Sequence, residues 1–197
     1  MSPEVLLALI AFAFAASITP GPNNLMLLAS GVNFGFRRTV PHMLGIAAGF
    51  CVLLLAVGGG LGALIERFPA TFIGLKVLGG GYLLYLAWRI ATTRKLDEAD
   101  ADGRPLRFIE AAAFQWVNPK AWVMAVAGMA AYTHPQDYLA TMLMVCGVFT
   151  LVNLPSVSVW AAFGTGLRGW LAEPARLKWF NIAMGALLAL SLWPMLR

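Results

Sequence analysis

Three stretches of the chain combine residue types suited to binding rather than to bond-breaking chemistry. The first is Thr19-Pro20-Gly21-Pro22-Asn23-Asn24, inside an uncharged run of 32 residues, Val5–Phe36. Two prolines remove two backbone donors and Gly21 supplies flexibility between them, so a continuous helix is not expected. The run would be about 48 Å long if fully helical, well beyond the roughly 30 Å of bilayer hydrocarbon, and a break or re-entrant turn would absorb the excess. A half-helix restarting after Pro22 would leave its first N–H groups without intrahelical partners. Those donors and the positive end of the helix dipole suit a carboxylate. Asn23 and Asn24 add amide donors and acceptors, as a cap or as ligand contacts.

The second stretch is Asn118-Pro119-Lys120. Lys120 falls near the middle of an apolar segment, where a charge costs about 2.5–3.5 kcal/mol on insertion scales. It needs a partner, either a bound anion or backbone carbonyls. The third stretch holds Asn153, Pro155, Ser156 and Ser158. Asn153, Ser156 and Trp160 share one helical face, and they either line a cavity with the first two stretches or act as polar glue between helices.

The remaining candidates are few. Glu110, at the inner end of the fourth apolar segment, and His42 are candidates for proton coupling, against the plainer expectation that His42 and His134 are solvated at helix ends. Lys76 can snorkel outward from the third segment. Cys51 and Cys146 lie in apolar segments, where small buried hydrophobes are the ordinary expectation. No acid falls near mid-membrane, so a deep site built on Lys120 favours a zwitterion or anion over a cation. No G-x-S-x-G, H-E-x-x-H or Walker-type phosphate loop occurs, so no catalytic, metal or cofactor site is expected.

These residues must be positioned by membrane helices. Apolar residues make up 60% of the 197 and charged residues 12%, about half the charge of a soluble domain. The apolar runs predict an all-α membrane protein of about six helices, in one transmembrane domain covering residues 1–197. Segment one lies within Val5–Phe36, segment two at about Met43–Ile65, segment three at about Thr71–Trp88, segment four at about Ala111–Tyr132, segment five within Tyr138–Leu167 and segment six at about Trp179–Leu196. The first segment lacks a basic leader and is read as a retained helix. The net charge of +5 sits in short loops without stacking aromatics, so nucleic acid is not an expected partner. Ten Lys and Arg residues fall on one side of a six-helix topology (Arg37, Arg38, Arg89, Arg94, Lys95, Arg104, Arg107, Arg168, Arg176 and Lys178) and two, Arg67 and Arg197, on the other. The basic side is therefore expected to be cytoplasmic and both termini outside.

The polar stretch 95–107 divides the chain into a first half, 1–94, and a second half, 108–197. Three helices per half forces the halves into opposite orientation, the inverted repeat of many secondary transporters. Each half opens with a proline-broken, asparagine-bearing segment, one and four. Broken backbone survives in hydrocarbon only where protein or a watery cavity satisfies it. Gly58-Gly59-Gly60 and Gly79-Gly80-Gly81 permit close helix packing within a protomer or across a homodimer.

The sequence resembles the LysE/RhtB family of amino-acid exporters. The resemblance runs along nearly the whole chain: Thr19 to Asn24, then Gly35-Phe36-Arg37 with Gly45 and Gly49, then Gly81-Tyr82-Leu83-Leu84, then Phe114-Gln115-Trp116-Val117-Asn118-Pro119-Lys120. Thr39 and Glu110 depart from it, in places where glycine and a small residue are common. The resemblance implies proton-driven efflux of amino acids or their derivatives from the bacterial inner membrane, and is closest in pattern to exporters of cysteine and O-acetylserine or of homoserine and threonine. The expected partners are a zwitterionic amino acid and the lipid bilayer. The alternative is a channel or ion exporter whose pore is lined by the broken segments.

Overall fold

The computed structural model describes residues 1–61, 69–96 and 104–193. Arg67, Arg197, the middle of the 95–107 connector and the far ends of segments two and six lie outside the described residues. Eight α-helices and no strand occur among those described: α1 Pro3–Ile18, α2 Pro22–Phe34, α3 Phe36–Ala56, α4 Pro69–Thr92, α5 Phe108–Phe114, α6 Pro119–Tyr132, α7 Tyr138–Leu167 and α8 Pro174–Leu190.

Both anticipated breaks are present. Segment one is α1 and α2, bent by 57°, and segment four is α5 and α6, separated by residues 115–118. Each second piece begins with proline in its first turn, Pro22 or Pro119, where the missing N–H costs nothing and the fixed φ suits a helix. By length and composition, Phe36–Leu61 and Pro135–Leu167 can each cross a membrane, and the bent α1–α2 pair makes a third span if taken as one.

The helices are apolar on nearly all sides. Along α1 only Leu9, Ala13 and Ser17 are buried, a stripe at four-residue spacing that faces α7. Phe12 and Ala16 also pack against the core, but Leu7, Ile10 and Phe14 point outward, as do Val77 on α4 and Leu151 on α7, which is 77% exposed. Such helices belong in lipid rather than water. In contrast, α2 is buried from Met26 to Asn33 and forms the centre of the bundle, against α7, α3 and α8. Elsewhere α3 packs on α5 and α7, α1 on α7, and α4 on α8.

Single glycines at the crossings set these contacts. A Cβ on Gly31 would meet the Ala161 carbonyl of α7, and one on Gly164 the Leu28 carbonyl of α2. Gly45 and Gly49 press α3 onto the α5 backbone at Phe108 and Ala112 in the same way. The two glycine runs contribute less: only Gly58 and Gly79 are closely opposed, while Gly59, Gly60 and Gly81 meet nothing nearby among the described residues.

One end of the bundle gathers polar contacts. Asn33 of α2 and Asn181 of α8 exchange amide hydrogen bonds of 2.9 and 3.0 Å, and Asn181 also donates to the Thr93 carbonyl after α4. At this end Gly35, with φ +79°, joins α2 to α3 in a single residue, and Arg168 lies beside it. The expectation of a solvated His42 at a helix end is overturned. The Gly35 turn starts α3 at Phe36, so His42 lies in its second turn and is 1% exposed. His134 is exposed.

Candidate functional site

At the end of α1 the Ala15 carbonyl still accepts the Thr19 N–H, and side chains satisfy the four carbonyls that follow, Ala16 to Thr19. Thr19 Oγ1 donates to the Ala16 carbonyl at 3.1 Å, the acceptor that Pro20 cannot serve. Asn24 Nδ2 donates to the Ser17 and Thr19 carbonyls, both at 2.8 Å. Trp160 Nε1 reaches from α7 to the Ile18 carbonyl at 3.1 Å, the acceptor that Pro22 cannot serve. Lys120 Nζ, from the start of α6, donates to the Thr19 carbonyl at 2.6 Å, to Thr19 Oγ1 at 3.0 Å and to the Pro20 carbonyl at 3.4 Å. In an apolar surround an unmade hydrogen bond costs several kcal/mol, so these contacts let an irregular turn persist between two apolar helices.

The second break is built differently. Residues 115–118 tighten into consecutive i to i−3 backbone bonds, and Asn118 caps α6 by accepting from Lys120 N at 3.1 Å. Trp122 Nε1 closes the loop on the Trp116 carbonyl at 2.8 Å. The two breaks are joined by a reciprocal amide pair: Asn23 Nδ2 donates to Gln115 Oε1 at 2.8 Å, and Gln115 Nε2 donates to Asn23 Oδ1 at 3.2 Å.

Between them lies a cavity of about 20 Å³ whose wall includes Gly21, Asn23, Asn24, Asn118, Lys120 and Asn153. The structure thus brings together these residues, all of them candidates from the sequence. Thr19 and Pro20 contribute oxygens to Lys120 from an exposed position. Pro22 and Pro119 shape the helix starts. Ser156 does not reach the cavity; its hydroxyl bonds the Val152 carbonyl at 2.7 Å. Ser17 and Gln115 also line the wall and are not among the sequence candidates. The signal for Gln115 is its place one helical turn before Asn118. Asn153 donates to Ser17 Oγ at 3.2 Å, and its Oδ1 is buried without a partner among the described residues.

The role expected of Gly21 also needs correction. Its φ of −171° and ψ of 177° are extended values open to any residue. What the position requires is room, since a Cβ there would sit 2.7 Å from Lys120 Cδ. Among the described residues no acid lines this cavity, so its chemistry is one ammonium, several amides and backbone oxygens. A volume near 20 Å³ holds about one water, and an amino acid could enter only if the helices moved apart.

The two proton-coupling candidates lie elsewhere. Glu110 accepts from Arg104 Nη1 at 2.7 Å and from the Arg107 N–H at 2.8 Å, and is part-exposed beside Arg104. His42 lies on the wall of a second cavity, of about 60 Å³, with Asn33, Arg89 and Arg104. Neither ring nitrogen of His42 has a hydrogen-bond partner among the described residues. Thr39, the other departure from the expected pattern, is fully buried and its hydroxyl bonds Ser30 at 2.8 Å. Cys51 and Cys146 are free thiols.

Comparison with known proteins places this architecture. The family model for the LysE type translocator matches residues 14–191. The chain belongs to the LysE family. This LysE-family chain is 32% identical over 136 residues to a cysteine/O-acetylserine efflux protein of Salmonella choleraesuis strain SC-B67, covering 69% of each chain. It is 31% identical, over the same length and shares, to the cysteine/O-acetylserine efflux protein of Escherichia coli strain K12. No solved structure gives a significant match. Membership of the LysE family makes the protein a transporter and not an enzyme.

Proposed function

We propose that this LysE-family protein is a secondary active exporter of small zwitterionic amino acids or their metabolites across a bacterial inner membrane, with cysteine and O-acetylserine the first substrates to test. One observation carries the proposal: the two broken segments meet at Lys120, in a cavity lined by amides and, among the described residues, by no acid. Lys120 and the start of α2, which no side chain caps among the described residues, offer positive charge to a carboxylate. Asn23, Asn24, Asn118 and Asn153 offer uncharged polar contacts. A cavity closed to about one water supports a carrier that alternates rather than a standing pore.

The packing supports a six-span inverted repeat. If α1–α2 corresponds to α5–α6, α3 to α7 and α4 to α8, then the contact of α3 with α5 mirrors that of α7 with α1, and the α3–α7 and α4–α8 contacts map onto themselves. The polar end holding Gly35, Arg89, Arg104 and Arg168 agrees with a cytoplasmic basic side. Reporters fused within residues 95–107 are expected inside the cell and one at Arg197 outside. A cytoplasmic Arg197 would defeat the six-span arrangement.

Proteoliposome flux tests the function. Wild-type protein is expected to carry labelled cysteine or O-acetylserine with saturation and counterflow. Linear flux without counterflow would favour a channel. For proton coupling, His42 is the better-placed candidate. Two hydrogen bonds from Arg104 and one from the Arg107 N–H hold Glu110 as an anion, whereas both ring nitrogens of His42 are buried without a hydrogen-bond partner among the described residues, beside a cavity of about 60 Å³. The His42→Leu protein is expected to move substrate down its own gradient at a rate indifferent to an imposed pH difference. Undiminished pH-driven accumulation by this variant would remove His42 from coupling.

A further inference from the structure

We infer that the oxygens of Thr19 and Pro20 form a receptor for a primary ammonium group, which Lys120 fills in this conformation and the substrate's α-ammonium fills in turn. In this exchange Lys120 swings onto the substrate carboxylate as the substrate takes its place. The inference rests on the proposed transport of zwitterions and adds the means by which both charges are recognised.

Three oxygens converge on Lys120 Nζ: the Thr19 carbonyl, Thr19 Oγ1 and the Pro20 carbonyl, at 2.6, 3.0 and 3.4 Å. An ammonium has three donors and no acceptor, so the set matches –NH3⁺ in number and kind. These oxygens end α1, where the helix dipole is negative and attracts cations. The other carbonyls of the break are served by Thr19 Oγ1, Asn24 and Trp160. Asn24 also holds the Thr19 carbonyl, so that group keeps a donor when the lysine leaves.

The geometry also lets the lysine leave. Thr19 and Pro20 are exposed, so the lysine can leave their oxygens without displacing a packed neighbour. The lysine stem crosses Gly21, where no side chain obstructs it. Among the described residues no acid of the cavity wall competes for its charge. A charge-assisted bond to a carboxylate is stronger than one to a neutral carbonyl, so an arriving carboxylate draws Lys120 off and exposes the oxygens that its own ammonium needs. A ligand with only one of the two charges completes half the exchange.

The test uses full-length Lys120→Ala protein, whose truncation removes the equivalent of propylamine. Thermal unfolding is followed with propylammonium, with tetramethylammonium, which has the charge but no N–H donor, and with acetate. Propylammonium is expected to raise the midpoint of Lys120→Ala by about 2–4 °C and to leave wild type unchanged. Tetramethylammonium and acetate should leave both proteins unchanged. Equal effects of propylammonium on the two proteins, or of the two cations on the variant, would overturn the receptor. If Lys120→Ala does not fold, Lys120→Met is probed with ammonium chloride against tetramethylammonium. Ammonium should then stabilise the variant alone, and equal effects on variant and wild type, or of the two cations on the variant, would overturn the receptor. Wild-type flux separates this from the functional proposal. Transport without the propylammonium effect sinks the receptor alone, and the propylammonium effect without amino-acid transport sinks the exporter and leaves the receptor standing.

Discussion

Export by a Lys120→Met protein is expected to fall about 10–150-fold while its abundance in the membrane stays near normal. The magnitude follows from losing a hydrogen bond to a charged group, worth about 1.5–3 kcal/mol. Methionine keeps much of the stem and can still pass over Gly21. The fold should survive because the Thr19 carbonyl keeps its bond from Asn24 Nδ2, and Asn118 still caps α6 through the backbone N–H of residue 120. Initial rates in proteoliposomes, normalised to inserted protein, give the reading. Unchanged kinetics would remove Lys120 from the mechanism. A loss matched by equal loss of folded protein would show that the ammonium is needed only to hold the break together.

The broken segments are legible in the sequence because their signals are local. Two prolines flanking one residue, in an uncharged run too long for the bilayer, demand an interruption whatever surrounds them. Orphan carbonyls are implied by the same argument, but their partners are not. Asn24 satisfies the break because the 57° bend returns its side chain to the end of α1, and Trp160 does so only because α7 packs on both pieces. Trp160 lies 142 residues away in sequence from Ile18, and no periodicity points the one at the other. The pairing of Asn23 with Gln115 is hidden for the same reason, since it joins halves of the chain that meet only in the fold.

The departures from the sequence reading also have physical causes. Arg37 and Arg38 read as loop residues, which puts His42 at a helix end. Gly35 at φ +79° instead turns the chain within one residue, and both arginines enter α3. Glycine runs suggest close packing, but what a helix crossing needs is a small residue on the facing side. Gly45 and Gly49, one turn apart, provide that against α5, whereas Gly59 and Gly60 meet nothing nearby among the described residues. Matching breaks suggest matching construction. The first has proline on both sides of its turn and needs side chains from elsewhere, while the second has its proline at the helix start and closes on itself through Asn118 and Trp122.

The Pro20→Ala, Pro22→Ala double variant is expected to insert, to remain at least as heat-stable as wild type and to lose most export. Alanine at both positions restores two N–H groups. Their natural acceptors in a continuous helix are the Ala16 and Ile18 carbonyls, now held by Thr19 Oγ1 and Trp160 Nε1. Proline inside a helix costs about 3 kcal/mol relative to alanine, so removing two of them strongly favours a straighter α1–α2. Straightening the 57° bend would pair the Ser17 and Thr19 carbonyls along the helix and take them from Asn24 and Lys120. The oxygens that the broken turn presents would then be hidden, and the start of α2 would no longer offer unpaired donors. Retained folding with lost transport therefore follows if the break supplies the binding backbone. Trp160→Phe is the control that frees the Ile18 carbonyl and leaves both prolines in place. It should lower the unfolding midpoint by a few degrees, as loss of one buried hydrogen bond does, and keep export above that of the double variant. Wild-type export by the double variant would mean that the prolines only bend the helix, and the proposed site would lose its main support.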